Sequence, residues 1–186
     1  QLEIILRGVA ECVTQAELEA LLDAKDIGTA ARAALPPAAL DALQPTAYIG
    51  FEPSGLLHAG TLVPMLKVRD LIAAGFRVTV LLADWHGYIN NKLDGDWDAL
   101  RAGVEYQRQM FGTFAPGTEF MTASELVRSD GYWEMVLHVA KATSLKRMRR
   151  AVSIMGRSED EAESDTSMLF YPAMQVADIY ALDVDL

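Results

Sequence analysis

One stretch constrains the chain more than any other: Ala47-Tyr48-Ile49-Gly50-Phe51-Glu52-Pro53-Ser54-Gly55-Leu56-Leu57-His58-Ala59-Gly60-Thr61. It opens apolar, passes through a turn with a proline and two glycines around it, and enters a segment, Leu62 to Ala73, whose apolar residues recur at helical spacing. Strand, tight turn and helix follow one another. In an open α/β sheet that order places a ligand crevice beyond the carboxyl end of the strand, where a helix N-terminus favours phosphate. His58 and Gly60 stand at this point. A glycine there allows close approach to the backbone, and an imidazole can donate to a phosphate oxygen as its charge grows.

The rest of the α/β pattern follows in order. Gly75 is expected to end the first helix, and Arg77 to Ala83 is a continuous β-branched run of the kind that forms a buried parallel strand. A strand, helix, strand crossover of right-handed sense is implied. Trp97 to Phe111 reads as a helix with Asp96 as its N-cap, and Phe120 to Thr122 as a short strand. Ser124 and Asp130 are expected to cap two further helices, the second running from Tyr132 to about Gly156. Residues 157–167 are polar and acidic and read as a mobile loop.

Ahead of the first strand, residues 1–46 read as a helical segment packed against the sheet domain. It has a capping box at Thr14-Gln15-Ala16-Glu17 and a short helix from Ala38 to Leu43 between proline breaks. At 186 residues the chain suffices for one domain with a sizeable core. A single cysteine, Cys12, excludes an internal disulfide, and three histidines provide no clustered zinc-ligand spacing, so no metal site is expected. No apolar run has membrane-spanning length and no secretory leader is visible, which makes the expected location cytoplasmic.

Charge gives two messages. A net charge of −10 argues against nucleic acid as a bulk partner, but six of the sixteen basic residues fall between Lys141 and Arg157. Within that stripe Lys146, Arg147, Arg149 and Arg150 lie inside five positions. A solvated helix face is the commoner meaning of such a run, and RNA contact the alternative.

Near the end, Tyr171, Gln175 and Asp178 are spaced by four and three on a helix that Pro172 can start, so they share one face. Taken alone they could be an interface or a capped helix. Asp84 and His86, after the second strand, are taken alone more often a capping pair or a satisfied polar edge than catalytic groups.

Together these stretches resemble class I aminoacyl-tRNA synthetases, specifically the tyrosyl enzyme of archaeal and eukaryotic type. The matching segments are Tyr-Ile-Gly-Phe-Glu-Pro-Ser-Gly from Tyr48, His-Ala-Gly-Thr from His58 where the family has His-Ile-Gly-His, Leu-Leu-Ala-Asp-Trp-His from Leu81, and Tyr-Pro-Ala-Met-Gln-Val-Ala-Asp from Tyr171. The resemblance implies a Rossmann-like parallel sheet in residues 47–186, with a helical connective insertion at about 112–167. It implies tyrosine activation by ATP, with Mg²⁺ accompanying the nucleotide as substrate and no tightly bound cofactor, then transfer to tRNA(Tyr), in a homodimer with no membrane association.

By the same resemblance His58, Gly60 and Thr61 serve the ATP site. Tyr48 and Asp178 meet the substrate hydroxyl, Tyr171 and Gln175 hold its amino group, and Glu52 lies close by. Lys146, Arg147, Arg149 and Arg150 would reach tRNA. The family continues with a Lys-Met-Ser-Lys-Ser-like loop and an anticodon-binding domain beyond these residues, so the chain is expected not to be competent alone. A tryptophanyl synthetase and a non-catalytic, synthetase-derived RNA-binding module are the alternatives.

Overall fold

The computed structural model describes residues 43–151 and 165–185, with a few isolated positions before residue 43. Within them three strands form a parallel sheet in the order β1 (Thr46–Phe51), β2 (Arg77–Leu82), β3 (Glu119–Thr122). Helix α1 (Ala59–Ala73) joins β1 to β2, while α2 (Asp84–Ile89) and α3 (Trp97–Phe114) join β2 to β3. The short α4 (Ala123–Leu126) follows, then α5 (Tyr132–Ala142), α6 (Leu145–Ala151) and α7 (Tyr171–Leu182).

Alternation along β2 sorts the core into two layers. Val78, Val80 and Leu82 point to one face, where they pack with Met65 and Val68 of α1 and Val104 and Phe111 of α3. Leu81 points to the other, among Tyr132 and Val136 of α5 and Tyr171, Ala173, Met174 and Ala177 of α7. Burying such a side chain stabilises by roughly 1.5–3 kcal/mol, so the central strand anchors both layers. Truncating Phe111, fully buried beside Phe51 at a ring separation of 4.8 Å, would cost about 3–5 kcal/mol.

The same alternation in β1 decides what faces the site. Ala47, Ile49 and Phe51 enter the first layer, leaving Tyr48 and Gly50 on the α5 and α7 side, in register with Thr79 and Leu81 of β2. After the strand, Pro53 is wedged between α2 and α3: a Cβ on Gly87 would lie 3.1 Å from its ring, and one on Gly103 only 2.9 Å. Both helices therefore close on the turn only because glycine stands at those two positions.

Helix ends show where local signals suffice. Asp96 caps α3, accepting from the N–H groups of Asp98 and Ala99, and Gly75, at φ +94°, ends the turn after α1. Two caps differ from expectation. Thr122, in place of Ser124, caps α4 in a reciprocal capping box with Glu125, because its hydroxyl stands three residues before that glutamate. Glu125 is held below the usual carboxylate range by the N–H and hydroxyl of Thr122. Gly131, not Asp130, opens α5, at φ +78°, a conformation that suits glycine.

The helix expected from Tyr132 to Gly156 is divided. Thr143 is extended, with φ −112° and ψ 132°, and Ser144 restarts the helix as its carbonyl and hydroxyl accept from the N–H of Arg147. A β-branched threonine followed by a cap-forming serine favours this break. Asp165 caps a 3-10 turn, Thr166–Leu169, that overlaps the end of the stretch expected to be loop. The capping box at Thr14, most of the 38–43 helix and residues 152–164, with the helix end expected at about Gly156, lie outside the described residues.

Candidate functional site

At the carboxyl ends of β1 and β2, under α7, lies a cavity of about 130 Å³. It is lined by Tyr48, Gly50, Glu52, Leu81, Ala83, His86, Tyr171, Gln175 and Asp178. All five residues expected around the amino acid are thus brought to one place from positions up to 130 apart in the sequence. Pro172 in the first turn of α7 fixes where the helix starts, and the spacing of four and three turns Tyr171, Gln175 and Asp178 toward the sheet.

The cavity has a buried end and an open one. Asp178 is 3% exposed and His86 2%, whereas the Glu52 side chain is 17% exposed and Gln175 is exposed. At the buried end the Tyr132 hydroxyl donates to Asp178 Oδ1 at 2.7 Å. His86 Nε2 lies 3.1 Å from Asp178 Oδ2, an ion-pair distance without hydrogen-bond alignment, and neither ring nitrogen of His86 has a hydrogen-bond partner among the described residues. Burial first and the Asp178 charge second raise the pKa of both Tyr48 and Tyr132, so both phenols remain proton donors.

Glu52 organises the open end. Its carboxylate accepts from the Tyr171 hydroxyl at 2.6 Å and from Asn90 Nδ2 at 3.0 and 3.2 Å, with Lys92 Nζ at 3.6 Å. Its backbone carbonyl accepts from Gln107 of α3 at 2.9 Å. Burial, then the Glu52 carboxylate, drives the Tyr171 pKa up as well.

Gly50 is not among the expected site residues, yet it lies in the cavity wall between Tyr48 and Glu52. A Cβ there would meet nothing within 4 Å. The space it leaves is part of the cavity, and its place in the same alternating row of β1 is the signal that could have found it. Tyr132 is a second addition, since nothing local marks a tyrosine that reaches a carboxylate 46 positions later. Asp84 plays a structural part, its Oδ1 accepting from the N–H groups of Trp85 and Ser124 and so tying the end of β2 to α4.

The His58 turn is separate from this cavity. His58 caps α1, with Nδ1 accepting from the Gly60 N–H at 3.1 Å. A Cβ on Gly60 would lie 3.0 Å from that ring, so the glycine here makes room for the imidazole, and its own N–H is engaged by the cap. An accepting Nδ1 puts the ring proton on Nε2, which leaves one outward donor. His58 is exposed and borders a mostly apolar cleft of about 220 Å³ with Leu57, Met65, Met110 and Phe114. Thr61 lies in the first turn of α1, its N–H bonded to the His58 carbonyl at 2.8 Å. Pro64 cannot donate to the Gly60 carbonyl, so that carbonyl lacks its ordinary partner in the helix.

On α6, Lys146, Arg147, Arg149 and Arg150 are exposed, while Met148 is buried in the core. Arg147 borders a groove of about 600 Å³ that also reaches Tyr48 and Gln175. Among the described residues no cluster of His, Cys, Asp and Glu could hold a metal ion, and no helix is long and apolar enough to cross a membrane.

Comparison with known proteins agrees with this architecture. The family described as tRNA synthetases class I (W and Y) matches residues 42–186. A tyrosine–tRNA ligase of Aeropyrum pernix is 44% identical over 185 residues, covering 98% of this chain and 46% of the relative. One from Saccharolobus islandicus is 39% identical over all of this chain and 48% of its own length. The crystal structure of a tyrosyl-tRNA synthetase from Archaeoglobus fulgidus complexed with L-tyrosine superposes with a TM-score of 0.76 at 33% identity, covering 99% of this chain and 52% of that one. The chain spans about half the length of the curated relatives it matches. On the family match and the parallel sheet it explains, the chain belongs to the class I tRNA synthetases of the W and Y family.

Proposed function

We propose that the protein containing this chain is a tyrosine–tRNA ligase: it condenses tyrosine with ATP to tyrosyl-adenylate and transfers the tyrosyl group to tRNA(Tyr). The observation that carries this is the polarity of the cavity. Its buried end presents the Asp178 carboxylate and the Tyr48 phenol, and its open end presents Glu52, Tyr171 and Gln175. A phenol fits the first and an ammonium group the second. An indole would place no hydroxyl opposite Asp178, leaving a buried carboxylate short of a partner at a cost of about 1–3 kcal/mol or more.

In the activation step an oxygen of the tyrosine carboxylate attacks the α-phosphorus of ATP. One P–O bond forms, the bond to the β-phosphate bridge breaks, and pyrophosphate leaves with Mg²⁺. Neither bond change requires a proton from the protein, so the contribution of the site is positioning and stabilisation of phosphate charge. Holding the amino acid at both ends fixes its carboxylate. His58, with Nε2–H outward, supplies a donor at the helix start, and Thr61 a hydroxyl in the same turn.

The helices between β3 and α7, within the connective insertion read at 112–167, carry the basic run, which we assign to the tRNA acceptor end. A homodimer in the cytoplasm is the assembly and setting that fit this reading. Amino-acid-dependent pyrophosphate exchange in the full-length protein tests it: tyrosine is expected to support exchange, and exchange with tryptophan alone would overturn the assignment.

A further inference from the structure

Asp178 is not a free carboxylate awaiting a ligand. Tyr132 Oη already donates to Oδ1, and His86 Nε2 stands against Oδ2 without forming an aligned bond. His86 is 2% exposed and both its ring nitrogens lack hydrogen-bond partners among the described residues, which is a costly state for a buried imidazole. Its ring packs T-shaped against Tyr171 at a centroid distance of 4.9 Å, a contact that turning the ring would give up.

We propose that Tyr132 and His86 are positioning residues that act through Asp178 and set the pocket's demand for a para-hydroxyl on the ligand. This inference rests on the tyrosine reading above. Tyr132 takes one carboxylate oxygen and thereby fixes the plane of the group. The second oxygen, with His86 near it but no aligned donor on it, keeps acceptor capacity for the cavity that Asp178 lines. A ligand hydroxyl completes that oxygen, whereas a bare phenyl ring leaves it under-bonded in a buried setting, and discrimination follows from the difference. Without Tyr132 the carboxylate can rotate to satisfy itself elsewhere, and a phenyl ring is then penalised less. His86 limits the same rotation from the other side.

The two residues come from different elements, α5 and α2, and neither has to touch the ligand hydroxyl for this to work. Since Tyr132→Phe keeps the ring that fills the core, packing is preserved while the single donor is lost.

The test is pyrophosphate exchange by the full-length protein with tyrosine and with phenylalanine, at saturating ATP. For Tyr132→Phe the KM for tyrosine is expected to rise on the order of tenfold with kcat little changed, as for loss of one hydrogen bond to a charged group. The kcat/KM for phenylalanine should stay constant or rise, so the ratio between the two falls at least tenfold. In an Asp178→Ala background the same change should have no further effect on tyrosine. His86→Leu should lower the ratio in the same way, and His86→Gln, which retains a side-chain donor, should restore part of it; these variants carry the test should Tyr132→Phe not fold. Equal losses for both amino acids, or an undiminished effect without Asp178, would overturn the inference while leaving the ligase reading intact. A wild-type protein with no tyrosine-dependent exchange would overturn both.

Discussion

The Tyr171 hydroxyl donates to Glu52 Oε1 at 2.6 Å, joining the first residue of α7 to the residue that follows β1 across 119 positions. This one bond spans the open end of the cavity, which both residues line. It also keeps the phenol protonated, since both burial and the facing carboxylate oppose its ionisation. In the unfolded chain tyrosine ionises near pH 10. Above that pH the unfolded state therefore holds fewer protons at this position than the folded one, and stability is lost as pH rises. Below pH 10 the contribution is fully present. Tyr171→Phe should make the fall in unfolding free energy above pH 10 shallower, by up to about 1.4 kcal/mol per pH unit. Denaturation followed between pH 9 and 11.5 checks this, and parallel curves for the two proteins would refute it.

Gly50 leads to a steric prediction. Because a Cβ at that position meets nothing within 4 Å, Gly50→Ala should fold with a thermal midpoint close to that of the parent. Gly50→Leu extends the side chain into the cavity of about 130 Å³ and should abolish tyrosine binding while the fold persists. Calorimetric titration with tyrosine and circular dichroism separate the two effects. Undiminished binding by Gly50→Leu would place the ligand elsewhere.

His58 combines a structural bond with a proposed catalytic donor, and asparagine can divide them. Its side-chain oxygen can accept from the Gly60 N–H as Nδ1 does, while its amide donors, on a shorter side chain, stop short of the position that Nε2–H occupies. His58→Ala should lose about 1 kcal/mol of stability through the cap, plus on the order of 3 kcal/mol of transition-state stabilisation. His58→Asn should recover the stability and keep the rate defect. Single-turnover adenylate formation and thermal denaturation of the full-length protein measure these independently. If His58→Asn forms adenylate at the wild-type rate, the histidine is a cap only. Thr61→Val should show a smaller rate defect of the same kind.

Replacing Lys146, Arg147, Arg149 and Arg150 with glutamine should weaken tRNA binding without altering adenylate formation. All four are exposed on α6, whose buried anchor is Met148, so the fold should tolerate the change. Every ion pair with a phosphate that is removed should flatten the dependence of log K on log salt by about one unit. An unchanged slope would mean that the run is a solvated helix face.

The local rules were enough for the strands, the turn after β1, the cap at Asp96, the stop at Gly75 and the start of α7 at Pro172, because each depends on residues a few positions apart. The shared face of Tyr171, Gln175 and Asp178 was likewise set by helical periodicity alone. What periodicity could not decide was the partner of each group. Tyr132 meets Asp178 only because α5 packs on α7, Glu52 meets Tyr171 and Asn90 only because three segments converge, and Gly50 becomes cavity wall only once α7 covers its side of the sheet. The divided helix at Thr143 and the cap at Thr122 are of another kind, since both are set locally, by Ser144 and by Glu125 three residues after Thr122. Hydrogen bonds between distant side chains depend on ångström-level placement set by packing, and a linear pattern of apolar and polar residues carries that placement only after the chain has folded.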